Sequence, residues 1–118
     1  MSGSQKSKRI LVVDDEAMIR RSFQLVLRHL GHEVAAAESG TEALGKVRDE
    51  SFDLVFLDFE MTGMRGDQLA REIKLIKPNL PIVLTTGSAP ATVGPEFSGV
   101  LRKPFAVHEL KEVIETWS

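Results

Sequence analysis

Short, unbroken apolar runs alternate with helix-like stretches along the sequence, and this alternation limits the fold more than any other feature. The first run, Ile10 to Val13, is too short for a helix and lacks the polar alternation of a half-exposed strand. It predicts a strand that is covered on both faces. From Glu16 to Leu30 the apolar residues recur at helical spacing, and Gly31 follows where a left-handed C-terminal cap would fall. This stretch predicts the first helix.

The same order of strand and helix continues along the chain. Ser39 and Glu42 have the spacing of a capping box and mark the start of the second helix, whereas Pro78 ends the third. The sequence predicts the other strands over 33–37, 54–57, 82–85 and 100–101, and the last helix over 107–117. Strands that alternate with helices favour a parallel sheet with helices on both faces and right-handed crossovers. The predicted fold class is therefore α/β.

The length and composition are those of one folded domain. The chain has 118 residues, of which 42% are hydrophobic and 27% are charged, so it differs from a disordered chain. Residues 1–9 are polar and have no periodicity, so we expect a disordered tail there and a single domain over 10–118. No apolar run approaches the ~18 residues that span a bilayer, and the start lacks the apolar stretch of a signal peptide. We therefore expect a cytoplasmic protein.

Charge and residue usage exclude several classes of function. The 15 Lys and Arg and 17 Asp and Glu residues give a net charge of −2, which provides no general attraction to nucleic acid or to an anionic membrane. The absence of cysteine excludes disulfides, thiol catalysis and Cys-ligated metals. The three histidines, His29, His32 and His108, lack metal-ligand spacing, so we expect them at the surface or at helix caps. We therefore expect neither nucleic-acid binding nor membrane insertion.

Side chains able to carry chemistry follow four of the five predicted strands. Asp14 and Asp15 follow the first strand, Asp58 the third, Thr86 the fourth and Lys103 the fifth. Each alone is an ordinary cap or loop residue, but the carboxyl ends of parallel strands meet at one edge of the sheet. Carboxylates brought together there repel one another, and Mg²⁺ would relieve that repulsion. A carboxylate nucleophile, a cation site, an ammonium and a hydroxyl are the parts needed for phosphoryl transfer to a carboxylate.

The segments that carry these residues resemble the motifs of the response-regulator receiver domain of two-component signalling. The resemblance covers residues 10–117 in the family's order. Its four segments are Leu11-Val12-Val13-Asp14-Asp15-Glu16, Asp53-Leu54-Val55-Phe56-Leu57-Asp58, Leu84-Thr85-Thr86-Gly87 and Lys103-Pro104-Phe105. The resemblance implies a doubly wound, five-stranded parallel sheet with the flavodoxin-like receiver fold.

The resemblance also implies a role for each residue that matches the family's motifs. Asp58 would be phosphorylated by a histidine kinase in the presence of Mg²⁺. Asp15 would ligate the Mg²⁺ directly, Asp14 would act mainly through water, and Asp58 and the backbone carbonyl of Glu60 would complete the metal site.

The resemblance has further implications for the residues that follow the fourth and fifth predicted strands. Thr86 would be the switch hydroxyl that moves to hydrogen-bond the phosphoryl group, and Lys103 would pair with that group. The Lys103–Pro104 peptide bond is expected to be cis.

The sequence departs from the receiver pattern in several places. Val100 stands where receivers commonly have Tyr or Phe, so an aromatic switch is not expected. The interval from Thr86 to Lys103 is shorter than in typical receivers, which predicts a shortened or irregular fourth helix. Glu60 has a carboxylate that can approach phosphate or metal, and Thr62 replaces the usual proline. This combination is similar to receivers attached to the C-terminus of hybrid histidine kinases.

The leading functional hypothesis is a phosphoacceptor signalling switch in a two-component phosphorelay. Its partners would be a histidine kinase or phosphotransfer protein and a downstream protein target, and its chemistry would be limited to phosphorylation and autodephosphorylation of Asp58. One alternative is a degenerate receiver that binds partners constitutively. Another is a small aspartyl-nucleophile phosphatase, whose class carries a D-x-D motif after the first strand, whereas here Asp58-Phe59-Glu60 follows the third.

Overall fold

Five parallel strands and four helices make up the part of the chain that the computed structural model describes, which is residues 7–61, 65–87 and 94–118. In chain order they are β1 (Arg9–Val13), α1 (Ala17–His29), β2 (Glu33–Ala37), α2 (Gly40–Asp49), β3 (Leu54–Asp58), α3 (Gly66–Ile76), β4 (Ile82–Thr86), β5 (Gly99–Arg102) and α4 (Val107–Trp117). The strands are ordered β2-β1-β3-β4-β5. The predicted doubly wound α/β sheet is confirmed.

The order of the strands creates a switch point between β1 and β3. Strand β1 pairs with β2 on one side and with β3 on the other, so the chain winds in opposite directions from this position. Ligands of open α/β sheets bind beyond the carboxyl ends of the strands at such a point. The fold therefore places its natural binding crevice at the ends of β1 and β3.

The core is divided between the two faces of the sheet. Successive strand side chains point to opposite faces, so Ile10 and Val12 belong to one cluster and Leu11 and Val13 to the other. Helices α2 and α3 cover the face of Leu11 with Ala43, Leu44, Val47, Leu69, Ala70 and Ile73. Helices α1 and α4 cover the face of Ile10 with Phe23, Leu27, Leu110 and Ile114. This explains why the apolar runs of β1, β3 and β4 are unbroken.

The predicted helix ends are largely as the structure has them. Ser39 caps α2 by accepting a hydrogen bond from the Glu42 backbone N–H at 3.2 Å. The Glu42 carboxylate in turn accepts a hydrogen bond at 2.8 Å from the backbone N–H of Glu38, the residue that precedes the capping residue. Gly31 has a φ of 95°, which confirms the left-handed position after α1.

The edges of the strands differ slightly from the prediction. Strand β1 begins at Arg9, which therefore belongs to the sheet and not to the predicted tail; residues 1–6 of that tail lie outside the described residues. Arg9 forms an ion pair with Glu50, and its guanidinium lies 5.3 Å from the centre of the Phe52 ring. These contacts explain why a basic residue extends the strand.

The connection between β4 and β5 shows no helix in the residues that the structure describes there, which are 87 and 94–98. The remainder of the predicted irregular stretch, residues 88–93, lies outside the described residues. Across the described parts of the chain, no helix is long and apolar enough to cross a membrane.

His32 is buried, so the expectation that it lies at the surface was wrong, whereas its backbone N–H does help to cap α1 by donating to the carbonyl of Leu27 at 3.0 Å. Its Nδ1 accepts a hydrogen bond from the Lys8 backbone N–H at 3.0 Å, which ties the start of β1 to β2. Burial, followed by the nearby Lys8 charge, lowers the pKa of His32 below its usual value. Protonation at Nδ1 would remove the acceptor for the Lys8 N–H.

This arrangement predicts an acid-sensitive contribution to stability. Between pH 7.5 and 5 the unfolded chain binds a proton at His32 more readily than the folded chain does, so folding free energy is lost as pH falls below about 6.5. In urea denaturation, we expect His32→Asn to lose less stability over this interval than the wild type, because the amide oxygen accepts the same bond without titrating. Equal slopes for His32→Asn and wild type would contradict the prediction.

Candidate functional site at the carboxyl edge of the sheet

Four of the residues predicted from the sequence meet at one edge of the sheet. Asp14 follows β1, Asp58 and Thr86 are the last residues of β3 and β4, and Lys103 follows β5. Asp14 and Asp58 are only 1% and 2% exposed, and Thr86 is fully buried. Buried carboxylates require partners, because an unpaired buried charge is costly.

Lys103 is the shared partner of the two buried carboxylates. Its Nζ lies 3.2 Å from Asp14 Oδ2 and 3.2 Å from Asp58 Oδ1, and its side chain is 21% exposed. The backbone N–H of Lys103 donates to the carbonyl of Thr86 at 2.8 Å, which fixes the start of this loop against the end of β4. The Lys103–Pro104 peptide bond is cis, as predicted. Burial alone lowers the pKa of Lys103, but Asp14 and Asp58 outweigh burial and hold that pKa above its usual value.

Asp58 is the carboxyl group most affected by its surroundings. Burial raises the pKa of Asp58, and the negative charge of Asp14 raises it further. The Glu60 backbone N–H, 3.3 Å from Asp58 Oδ1, and the Lys103 ammonium act in the opposite direction without cancelling the rise. Such a perturbed, charge-coupled carboxyl group at a strand end is typical of a functional site.

Three consecutive acidic residues form a candidate cation site beside this pair. Carboxylate oxygens of Asp14, Asp15 and Glu16 all lie within 4.8 Å of one another. Asp14 Oδ1 accepts a hydrogen bond from the Glu16 backbone N–H at 2.9 Å, and Arg20 donates to the backbone carbonyl of Asp14 at 2.7 Å. An all-oxygen donor set with an exposed member suits Mg²⁺, which prefers oxygen ligands and retains water.

Glu16 is a residue that the sequence analysis missed as a possible ligand. Its position directly after Asp14 and Asp15 could have indicated a third ligand. The sequence does not show, however, that the Glu16 carboxylate lies close to the other two. The predicted ligand Asp58 is not part of this cluster, but it shares the Lys103 ammonium with Asp14. The predicted role of the Glu60 backbone carbonyl stays a prediction.

The Glu60 side chain points towards the end of β4. Its Oε1 accepts hydrogen bonds from the Thr86 hydroxyl at 3.3 Å and from the Gly87 backbone N–H at 3.0 Å. The sequence had suggested that this carboxylate lies near phosphate or metal. In the structure this carboxylate accepts hydrogen bonds from two protein donors, and its approach to phosphate or metal stays a prediction.

An apolar groove borders the site on the side of α1 and α4. It has a volume of about 550 Å³ and includes Ile19, Phe23, Lys103, Phe105 and Val107 in its lining. The rings of Phe23 and Phe105 lie 5.3 Å apart and are tilted by 49°, which anchors the loop after Lys103 to α1. Lys103 thus belongs both to the charged site and to the edge of this groove.

Known proteins share this arrangement of sequence and fold. The family described as "Response regulator receiver domain" matches residues 10–115. Response regulator receiver protein CpdR of Brucella abortus (strain 2308) is 34% identical over 113 residues, which cover 92% of this chain and 94% of that protein. The solved structure of response regulator protein TrrA from Thermotoga maritima in complex with Mg²⁺-BeF is 38% identical, has a TM-score of 0.86, and is matched over 94% of this chain and 99% of that one.

Longer proteins match as well. Transcriptional regulatory protein ZraR of Salmonella typhimurium (strain LT2) is 38% identical over 111 residues, which cover 90% of this chain. The chain spans about a quarter of the length of that relative, since the match covers 25% of it.

Proposed function

The chain belongs to the response regulator receiver domain family, and from this premise we propose that Asp58 accepts a phosphoryl group from a phosphohistidine. The observation that carries the proposal is the contact of the buried Asp58 carboxylate with Lys103 at 3.2 Å, at the switch point of the sheet. In the proposed role, Asp58 would be a nucleophile beside a fixed positive charge. Phosphoryl transfer needs positioning and charge neutralisation more than covalent chemistry from the protein.

The proposed step conserves atoms and charge. A carboxylate oxygen of Asp58 attacks phosphorus, the P–N bond of the phosphohistidine breaks, and the imidazole nitrogen leaves with the electron pair and takes up a proton from solvent water. The new P–O bond makes an acyl phosphate. Lys103 would neutralise charge on the phosphoryl oxygens as they approach.

The acidic cluster after β1 fits the cation that this chemistry requires. Asp14, Asp15 and Glu16 would hold Mg²⁺, and when bound the ion supplies neutralising charge to phosphoryl oxygens. Arg20 supports the cluster because it fixes the backbone of Asp14. A ligand contribution from Asp58 and from the Glu60 carbonyl remains part of this proposal.

Phosphorylation would act as a switch because it changes the hydrogen-bonding demand at the end of β4. A phosphoryl group adds about 1.5 to 2 negative charges and three strong acceptor oxygens. Thr86 would donate its hydroxyl to one of these oxygens, and Lys103 would pair with another. The equilibrium between two conformations would then shift by the difference in these interactions.

The partners follow from this chemistry. The phosphodonor would be a histidine kinase or a phosphotransfer protein, and the output would be binding to a downstream protein target in the cytoplasm. The chemistry proposed is confined to gain and loss of phosphate at Asp58, with no other substrate.

Labelling with acetyl phosphate tests the proposal. Intact-protein mass spectrometry should show a single phosphoryl adduct that requires Mg²⁺ and is absent from Asp58→Asn. Asp49→Asn, which changes an exposed aspartate at the end of α2, should label like the wild type. An adduct that persists in Asp58→Asn would refute the assignment of the phosphoacceptor. No adduct on the wild type, with a donor that labels another receiver, would favour a constitutive binding module, and turnover of a generic phosphate ester would favour a phosphatase.

A further inference from the structure

Two hydrogen-bond donors at the end of β4 are engaged by a carboxylate of the protein itself. The Thr86 hydroxyl and the Gly87 backbone N–H both donate to Glu60 Oε1, at 3.3 and 3.0 Å. Glu60 also touches the other side of the site, since its backbone N–H donates to Asp58 Oδ1 at 3.3 Å. One residue thus connects the proposed phosphoacceptor to the proposed switch hydroxyl.

We infer that Glu60 is an internal competitor of the phosphoryl group, holding the Thr86 and Gly87 donors with its carboxylate until phosphorylation displaces it. The inference rests on the proposed function, because it concerns the same site. It goes beyond the proposed function because it gives a role to a carboxylate of this chain that lies two residues after the proposed phosphoacceptor.

Competition follows from the number of protons available. A hydroxyl has one proton and a backbone amide has one, so neither donor can serve the Glu60 carboxylate and a phosphoryl oxygen fully at the same time. Both acceptors are anionic, and hydrogen bonds to anionic acceptors are roughly twice as strong as neutral ones. The exchange therefore replaces one charge-assisted acceptor by another.

Repulsion makes simultaneous occupation still less favourable. Thr86 and Asp58 are both buried, so charges held against them are screened less than charges in bulk water. A carboxylate and a phosphoryl group that share this space repel one another. Glu60 itself is exposed, which gives its side chain a route into solvent once the donors are released.

The released and held positions of Glu60 define two states of the site. In the unphosphorylated state, Glu60 fixes Thr86 and Gly87 at the end of β4. In the phosphorylated state, the same two donors face the phosphoryl group and Glu60 is solvated. Glu60 thereby opposes phosphorylation and influences how readily the phosphorylated state forms.

The test measures the affinity for beryllofluoride, which takes the place of a phosphoryl group on an aspartate, at saturating Mg²⁺. Titrations of wild type, Glu60→Gln and Glu60→Ala can be followed by NMR at the Gly87 amide. We expect Glu60→Ala to bind about tenfold more tightly than wild type, and Glu60→Gln to lie between them because its amide oxygen accepts the same bonds without charge. Glu112→Gln, which removes one exposed charge from α4, should bind like wild type. Equal or weaker binding by Glu60→Ala would overturn the inference.

A second measurement examines the contact without any phosphate analogue. In the unliganded protein, hydrogen exchange of the Gly87 amide should be faster in Glu60→Ala than in wild type, because that amide loses its acceptor. Unchanged exchange would contradict the held state. The two proposals fail in different ways: if no variant binds beryllofluoride or labels with acetyl phosphate, the proposed function fails, whereas equal binding and labelling by all variants overturns only the role of Glu60.

Discussion

Replacing Lys103 by methionine is expected to lower the free energy of unfolding at pH 7 by about 2 kcal/mol. Asp14 and Asp58 are buried and share the Lys103 ammonium, so methionine leaves two carboxylates without their counter-charge. Removal of one partner from a buried ion pair typically costs ~3–5 kcal/mol, and the partial exposure of Lys103 reduces that figure. Urea denaturation in the presence of EDTA measures the loss without interference from bound cations.

A double-mutant cycle separates the loss of charge pairing from the loss of packing. Asp58→Asn removes one of the two carboxylates, so Lys103→Met should cost much less in the Asp58→Asn background than in the wild type. If Lys103→Met alone prevents folding, Asp58→Asn by itself still reports the stability that the remaining Lys103–Asp14 pair supports. An equal cost in both backgrounds would show that the Lys103 stem, and not its charge, supports the loop.

Replacing Gly66 by alanine is expected to destabilise the protein by about 1–2 kcal/mol and to slow labelling of Asp58 about tenfold. A Cβ at this first residue of α3 would lie 3.0 Å from Phe59 Cα and 3.2 Å from the backbone carbonyl oxygen of Asp58. These neighbours are backbone atoms, which cannot rotate away as a side chain can. The backbone that carries Asp58 would therefore move, and with it the nucleophile. Denaturation and the rate of acetyl phosphate labelling measure the two effects.

Gly45 provides a matched control within another helix. A Cβ at this position in α2 would have nothing within 4 Å. Alanine has a higher helix propensity than glycine, so Gly45→Ala should stabilise the protein by about 0.5–1 kcal/mol and leave the labelling rate unchanged. Effects of the same sign in Gly45→Ala and Gly66→Ala would show that contact with the Asp58 segment is not the cause.

Most of the fold could be predicted because its signals are local. The apolar runs of β1, β3 and β4 are unbroken since both faces of the sheet are covered, and the helical periodicity of α1 and α4 reflects one buried face each. The strand ends were less predictable. Arg9 joins β1 through contacts with Glu50 and Phe52, which are distant in sequence. His32 is buried for a similar reason, because its partner Lys8 is brought to it only by strand pairing.

The candidate site, like the fold, could be predicted only in part from the sequence. The positions of Asp14, Asp58, Thr86 and Lys103 follow from the ends of parallel strands, and the sequence indicates those ends. The orientations of Glu16 and Glu60 do not follow, because each depends on which donors or carboxylates a side chain meets in three dimensions. Glu60 illustrates the difference: the sequence indicates a carboxylate near the phosphoacceptor, and only the fold shows that Thr86 and Gly87 already bind it.

The division of the core between two pairs of helices bears on how the protein is made. Helices α2 and α3, which cover one face of the sheet, precede α4 in the chain and leave the ribosome before it. On the other face, Phe23 and Leu27 of α1 pack with Leu110 and Ile114 of α4, which are synthesised later. During synthesis the second face therefore receives the last of its helices after the first face has both of its own.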